Sequence, residues 1–166
     1  MRGFFHDNAT PEARSLNDAL ADRLAASPGF EVEEALLPAA FDLAPAILRT
    51  ILRSETTSIH EQLFPAHPEA YGEKIRALIE TGMLIDAADY LRARRLRRRY
   101  QREMASLFRA FDVLMTPAAR GTAPEGITTT GDPAMNGPWT LADFPTMTLP
   151  HALGGNGLPI GVQLSG

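Results

Sequence analysis

The side chains able to do nucleophilic chemistry in this 166-residue chain are few and scattered. There is no cysteine, which removes thiol nucleophiles, thiolate metal sites and disulfides together. Six serines are present: Ser15, Ser27, Ser54, Ser58, Ser106 and Ser165. A serine hydroxyl becomes a nucleophile only beside a base that takes its proton, and the oxyanion it creates needs preorganised donors. None of the six lies in a run of glycines and serines able to supply those donors. Lys74, the only lysine, sits in the polar stretch Gly72-Glu73-Lys74-Ile75-Arg76 with no serine near it in sequence. His6, His60, His67 and His151 show no helical metal-ligand spacing and no HExxH pattern. Gly154-Gly155-Asn156-Gly157 is a hairpin signal and not the strand-to-helix turn that cradles phosphate. The sequence therefore assigns no catalytic residue, no metal ligand and no cofactor.

Polar and aromatic residues that could bind are more numerous, and each has a structural reading beside a functional one. Asp132 and Asn136 can close turns by accepting from nearby backbone amides. Trp139 can floor a pocket or fill a core. Glu55 falls within an apolar helical stripe, where a carboxylate is costly unless paired; an arginine partner is expected. His60, on the same helix, reads as a polar helix edge, and His151 is a possible ligand without a visible partner. The arginine run from Arg92 to Arg102 is the strongest charge feature, with Arg92, Arg95, Arg99 and Arg102 in one helical stripe. A phosphate track would use such a stripe. The net charge of −4 and the lack of interleaved aromatics other than Tyr100 favour a solvated face paired with acids, so nucleic acid is not an expected partner.

The elements that must position these residues divide the chain in two. Residues 1–110 read as mainly helical and residues 111–166 as strand and loop. Thr10-Pro11-Glu12 is a helix start, with a capping hydroxyl and proline at the first helical position. Ala13, Leu16, Leu20 and Leu24 continue it to Ser27-Pro28-Gly29. Phe30-Glu31-Val32-Glu33 alternates like a half-exposed strand, ended by Pro38. Further helices are expected over 43–64, over 68–81 with Gly82 as C-cap, and over 86–111. Val113-Leu114-Met115, Thr146–Leu149 and Ile160–Leu164 read as short strands buried on both faces. Residues 120–138, rich in Gly, Pro and Thr, form a long loop of the kind that is usually functional.

Composition limits the class. Apolar residues make up 45% and charged residues 22%, ordinary for a globular domain. No apolar run approaches the roughly 20 residues that span a bilayer, and Asp7 arrives too early for a secretory signal. A cytoplasmic protein with no membrane partner is expected.

Four elements in the last third carry a family resemblance. Phe111–Pro117 (FDVLMTP) resembles the amidase-signature segment DVLLTPT. Thr130–Thr140 (TGDPAMNGPWT) resembles TGDPxxNxPW, Phe144–Pro150 (FPTMTLP) resembles LPAxSLP, and Gly157–Leu164 (GLPIGVQL) resembles GLPxGVQL. Upstream, Ala88–Ala93 is similar to the family's xDYLxA helix, and the Glu31–Pro38 strand fits the section following the catalytic core. The resemblance implies an α/β fold, the C-terminal part of the amidase-signature α/β/α sandwich with its mixed sheet, helix-rich over the first two-thirds.

Members of that family hydrolyse carboxamide C–N bonds with a serine nucleophile, a second serine and a lysine. Those residues come earlier in the family than anything matched here. The resemblance thus implies a chain without its own catalytic triad, walling the substrate pocket and meeting a small amide substrate only with the missing N-terminal half. Asp132 is where members acting on amino-acid amides bind the substrate ammonium, and Arg76 aligns with a carboxylate-binding arginine. Trp139 and Asn136 complete the substrate-side set. Other readings are a non-enzymatic binding protein and part of a tRNA-dependent amidotransferase A subunit. Strands lacking neighbours also lead us to expect homo-oligomers or strand exchange.

Overall fold

The computed structural model describes residues 3–166. Helix α1 covers Phe4–Asn8 and α2 Pro11–Ala25. The start of α2 is the one its sequence demands: Thr10 Oγ1 accepts from the Ala13 amide at 3.3 Å, with Pro11 at the first position.

Residues 30–38 form no strand, which corrects the reading of Phe30–Glu33 and of Glu31–Pro38. Phe30 and Val32 are exposed, and the alternating pattern finds no partner strand among the described residues. An extended segment becomes a strand only when a neighbour satisfies its backbone groups.

Helix α3 runs Ala44–His60 and is followed by a single turn, α4, over Leu63–Ala66. Residues 68–70 make a 3₁₀ turn, and α5 begins only at Glu73, ending at Gly82. Gly82 acts through close approach and not as a left-handed cap. A β-carbon there would run into Thr57 Oγ1 and the Arg53 carbonyl, so glycine is what lets α5 lie against α3.

Helix α6, Ala87–Ala105, is capped by Asp86, whose Oδ1 accepts from the Asp89 amide at 2.8 Å. It stops six residues short of Phe111. Ser106 Oγ donates to the Glu103 carbonyl at 2.7 Å, the local bonding that competes with continued helix, and the chain tightens into a 3₁₀ turn over Ser106–Arg109. The buried line of α6 is Ala93, Tyr100 and Met104, at helical spacing.

The expected loop over 120–138 contains order that its composition hides. A 3₁₀ turn spans Pro133–Met135, and helix α7 spans Gly137–Ala142. Strands β1 (Leu114–Pro117), β2 (Thr146–Leu153) and β3 (Pro159–Ser165) form one sheet of order β1-β3-β2, antiparallel throughout. The β2–β3 hairpin turns where the glycines said it would, with Gly157 at φ 77°. Burial corrects the reading of all three strands as two-sided core: β1 and β3 are largely buried, whereas Thr146–Pro150 of β2 is exposed throughout. The fold is α/β and helix-rich.

The core is aromatic and crosses the two sections. Phe5 meets Phe4 and Phe41 edge-on, and it stacks on Trp139 with centroids 5.4 Å apart at 14°. Tyr100 and Met104 of α6 complete the cluster, both fully buried.

Candidate substrate-facing site

Asp132 lies at the head of the Pro133–Met135 turn. Its Oδ1 accepts from the Ala134 amide at 2.9 Å, the turn-closing role that aspartate supplies at such positions. Its other oxygen, Oδ2, accepts from Nη1 of Arg120 at 2.9 Å, and both side chains are about half exposed. Arg120 is held from a second direction: its Nε donates to the Asn8 carbonyl at 2.9 Å. Its own carbonyl accepts from the Thr10 amide at 2.6 Å. The end of β1, the junction of α1 and α2, and the TGDP turn therefore meet at one arginine.

Asn136 is exposed, and its role in the turn is played by backbone. Its amide donates to the Pro133 carbonyl at 3.0 Å and its carbonyl receives Thr140. Its carboxamide has no partner among the described residues, so the side chain does not close the turn as expected. Trp139 is 1% exposed and belongs to the core; it packs beneath this surface and does not floor an open cleft. Its Nε1 has no hydrogen-bond partner among the described residues. The Tyr100 hydroxyl donates to the Pro138 carbonyl at 3.0 Å, fixing α7 onto α6, and burial pushes that phenol well above its usual range.

Arg76 makes no hydrogen bond or ion pair with Asp132 among the described residues and bonds locally through Nη2. Its Nη2 donates to the Pro68 carbonyl at 2.9 Å and to that of Tyr71 at 3.5 Å, clamping the turn ahead of α5. The link between α5 and the loop comes from Lys74, whose Nζ donates to the Thr128 carbonyl at 3.0 Å. Two open surface depressions, of about 420 Å³ along α2 and about 320 Å³ between α3 and α6, share no lining residue with Asp132, Asn136, Trp139 or Arg76.

The charged features resolve toward structure. Glu55 meets Arg94 at 3.2 Å and accepts from the Tyr90 hydroxyl at 2.9 Å, so the expected arginine partner exists, though Glu55 is half exposed and not buried. Along the same helix Arg92 pairs with Asp89, Arg97 with Asp143 and Arg99 with Glu103. Glu103 also accepts from the Ala40 amide; the Arg99 bond first, then that amide, hold its carboxyl below the usual range. Four of the seven arginines in the run, Arg92, Arg94, Arg97 and Arg99, thus pair with acids. His60 Nδ1 lies 2.9 Å from the Tyr71 hydroxyl. His151 is part-buried, with Nε2 unpartnered among the described residues; desolvation, and then Arg23, lower its pKa. No group of three or more His, Asp or Glu able to hold a metal ion occurs among the described residues.

Comparison with known proteins decides the family. The Amidase family profile matches residues 1–166. The chain belongs to the Amidase family. It is 35% identical over 177 aligned positions to 1-carboxybiuret hydrolase subunit AtzE of Pseudomonas sp. (strain ADP), covering 99% of this chain and 37% of that protein. An amidase of Pseudomonas putida is 34% identical, over 70% of this chain and 24% of its own length. Among solved structures, a crystal structure of an amidase superposes with a TM-score of 0.88 at 26% identity, covering 98% of this chain and 39% of that one. An inhibitor-bound structure described as revealing the evolutionary origins of an s-triazine catabolic enzyme superposes with a TM-score of 0.83 at 32% identity, covering 99% and 37%. The chain therefore spans well under half the length of these amidase relatives.

The motif residues Asp132 and Asn136 do come together on one exposed turn of this amidase chain, with Trp139 behind it, whereas Arg76 does not join them. Sequence reasoning passed over Arg120. The signal was present: a lone basic residue in a stretch of Gly, Pro and Thr, twelve positions ahead of a motif aspartate.

Proposed function

We propose that this chain forms the substrate-facing part of an amide-hydrolysing unit whose nucleophile and base lie in residues outside it. The observation that carries this reading is the turn at Asp132. The signature motif TGDP-N is built on an exposed surface with a charged pair and a free carboxamide, while among the described residues none of the six serines has a hydrogen bond to a basic side chain. Likeness to 1-carboxybiuret hydrolase subunit AtzE supports small amides, and among them ones carrying a carboxylate, as the substrate class. Asn136 and the cationic group held by Asp132 are the contacts, with Trp139 supporting them from below. Arg76 keeps a subsidiary place, its Nη2 engaged by the turn ahead of α5. Small-molecule amide turnover, and not membrane or nucleic-acid attachment, is the activity of the assembled unit. No helix among the described residues is long and apolar enough to cross a membrane, and two of the four arginines in the stripe that would track phosphate, Arg92 and Arg99, are engaged with acids.

A serine-directed fluorophosphonate probe tests the assignment of the nucleophile. The chain alone should remain unlabelled by intact-mass analysis. Stoichiometric labelling of any one of Ser15, Ser27, Ser54, Ser58, Ser106 or Ser165 would place a nucleophile in this chain and end the proposal.

A further inference from the structure

The Asp132 carboxylate is not a vacant receptor for a cation. One oxygen is occupied by the Ala134 amide and the other by the Arg120 guanidinium, each at 2.9 Å. An incoming ammonium would have to share Oδ2 with a group that already neutralises it. Arg120 is in the opposite condition. Its Nε and one Nη1 proton are engaged, by Asn8 and Asp132, while Nη2 has no partner among the described residues and the side chain is 51% exposed. A guanidinium oriented from two sides presents its remaining N–H donors at a fixed angle, the arrangement that receives a planar oxyanion through two parallel bonds. Because the rotamer is already set, less conformational entropy is lost when a ligand binds. An exposed ion pair contributes little to stability, so stability alone gives this one scant reason to exist.

We propose that Arg120, held by Asp132 and the Asn8 carbonyl, is the specificity-determining residue of the site and takes a carboxylate carried by the amide substrate. Asp132 then acts as its positioning residue. The inference rests on the substrate-facing reading above and reverses the polarity that the motif aspartate suggests: the site selects for negative charge, not for an ammonium.

Two measurements separate this inference from the reading beneath it. The first uses the chain itself. The Arg120 Nε–H resonance, identified by its loss in R120Q, is followed while succinamate or its neutral counterpart succinamide is added. A saturating shift with succinamate and none with succinamide is expected. Equal shifts with both, or none with either up to the solubility limit, would overturn the assignment. The second uses the chain joined by the serine- and lysine-bearing residues of an amidase relative. R120Q should raise KM for succinamate about tenfold or more, as loss of one charge-assisted contact implies, with kcat and the KM for succinamide little changed. R120K, which keeps the charge but loses the fork, should fall between, and D132N should raise KM in the same direction by less. Equal KM effects on both amides would remove Arg120 from recognition while leaving amide hydrolysis intact. A D132N loss confined to glycinamide would hand recognition back to Asp132. A complex that hydrolyses neither amide while the chain still shows the succinamate-specific shift would keep Arg120 as an anion receptor and remove the amidase reading instead.

Discussion

Helix α7 and strand β2 are neighbours in sequence, belong to the same set of signature motifs, and meet opposite fates. In α7, Pro138, Trp139, Leu141 and Ala142 are buried, and Trp139 stacks on Phe5 from the far end of the chain. Four residues later Thr146, Met147, Thr148, Leu149 and Pro150 all lie exposed, with Met147 at 61%. The hinge between them is Asp143, left-handed at φ 63° and bonded to Arg97 and Gln101 of α6. A family motif therefore carries two kinds of information. One part serves the chain's own core, and the other presents a surface whose apolar residues find no cover within the described residues.

Substitutions on the two sides of Asp143 should differ most at Trp139. Truncation of a large buried aromatic costs about 3–5 kcal/mol, so Trp139→Ala should shift the denaturant midpoint far downward or abolish the transition. Met147→Ala, outside the core, should stay within about 0.5 kcal/mol. Similar losses from the two would erase the distinction between them.

Tyr100→Phe comes next. It leaves the Pro138 carbonyl without its buried donor, a loss of about 1–3 kcal/mol. The pH dependence sharpens the point. Burial raises the folded-state pKa of Tyr100 above the unfolded value of about 10. The unfolded state then releases its proton first, so this contribution is full below about pH 10 and is lost as pH rises beyond it. Unfolding curves for the wild type should show that alkaline loss, and the curves for Tyr100→Phe should lack this share of it.

Asp143 should be worth less. Asp143→Ala removes the partner of Arg97 and places a β-carbon without polar compensation in the left-handed region, at about 1–2 kcal/mol. Asp143→Gly loses the same pair without the backbone cost and should be the milder change in the same thermal melts. Thr148→Lys, on the exposed strand, should have the smallest effect on stability. Its readout is light scattering, where a charge on an open edge should reduce self-association; unchanged scattering by a clean monomer would show that the edge is not used.

Much of the helical section was legible in the residues, the contrast between α7 and β2 was not, and the reasons are physical. Periodicity located α2, α3, α5 and α6 because their buried positions recur at helical spacing, as Ala93, Tyr100 and Met104 do. The Thr10 and Asp86 caps act locally, so they could be read locally. Strand β2 was found but its burial was misjudged, since an apolar run says that cover is wanted and not that it is present. The alternation at Phe30–Glu33 misled for a related reason: a strand needs a partner that no single segment encodes. Asp132 was found by its motif, whereas its pairing with Arg120 depends on where the chain beyond β1 folds back against α1. Arg76 was placed by alignment alone, and the structure turns it toward its own turn.

The central proposal is that this chain shapes a substrate site and does not itself cleave amides. Release of ammonia from succinamate is the direct measure, taken for the chain alone and for the chain combined with the serine- and lysine-bearing section of an amidase relative. The account predicts no release above the uncatalysed rate for either part alone and sustained release from the combination, lost when the companion's serine nucleophile is replaced. Ammonia release by the chain alone, or a stable and folded combination that remains inert, would contradict it.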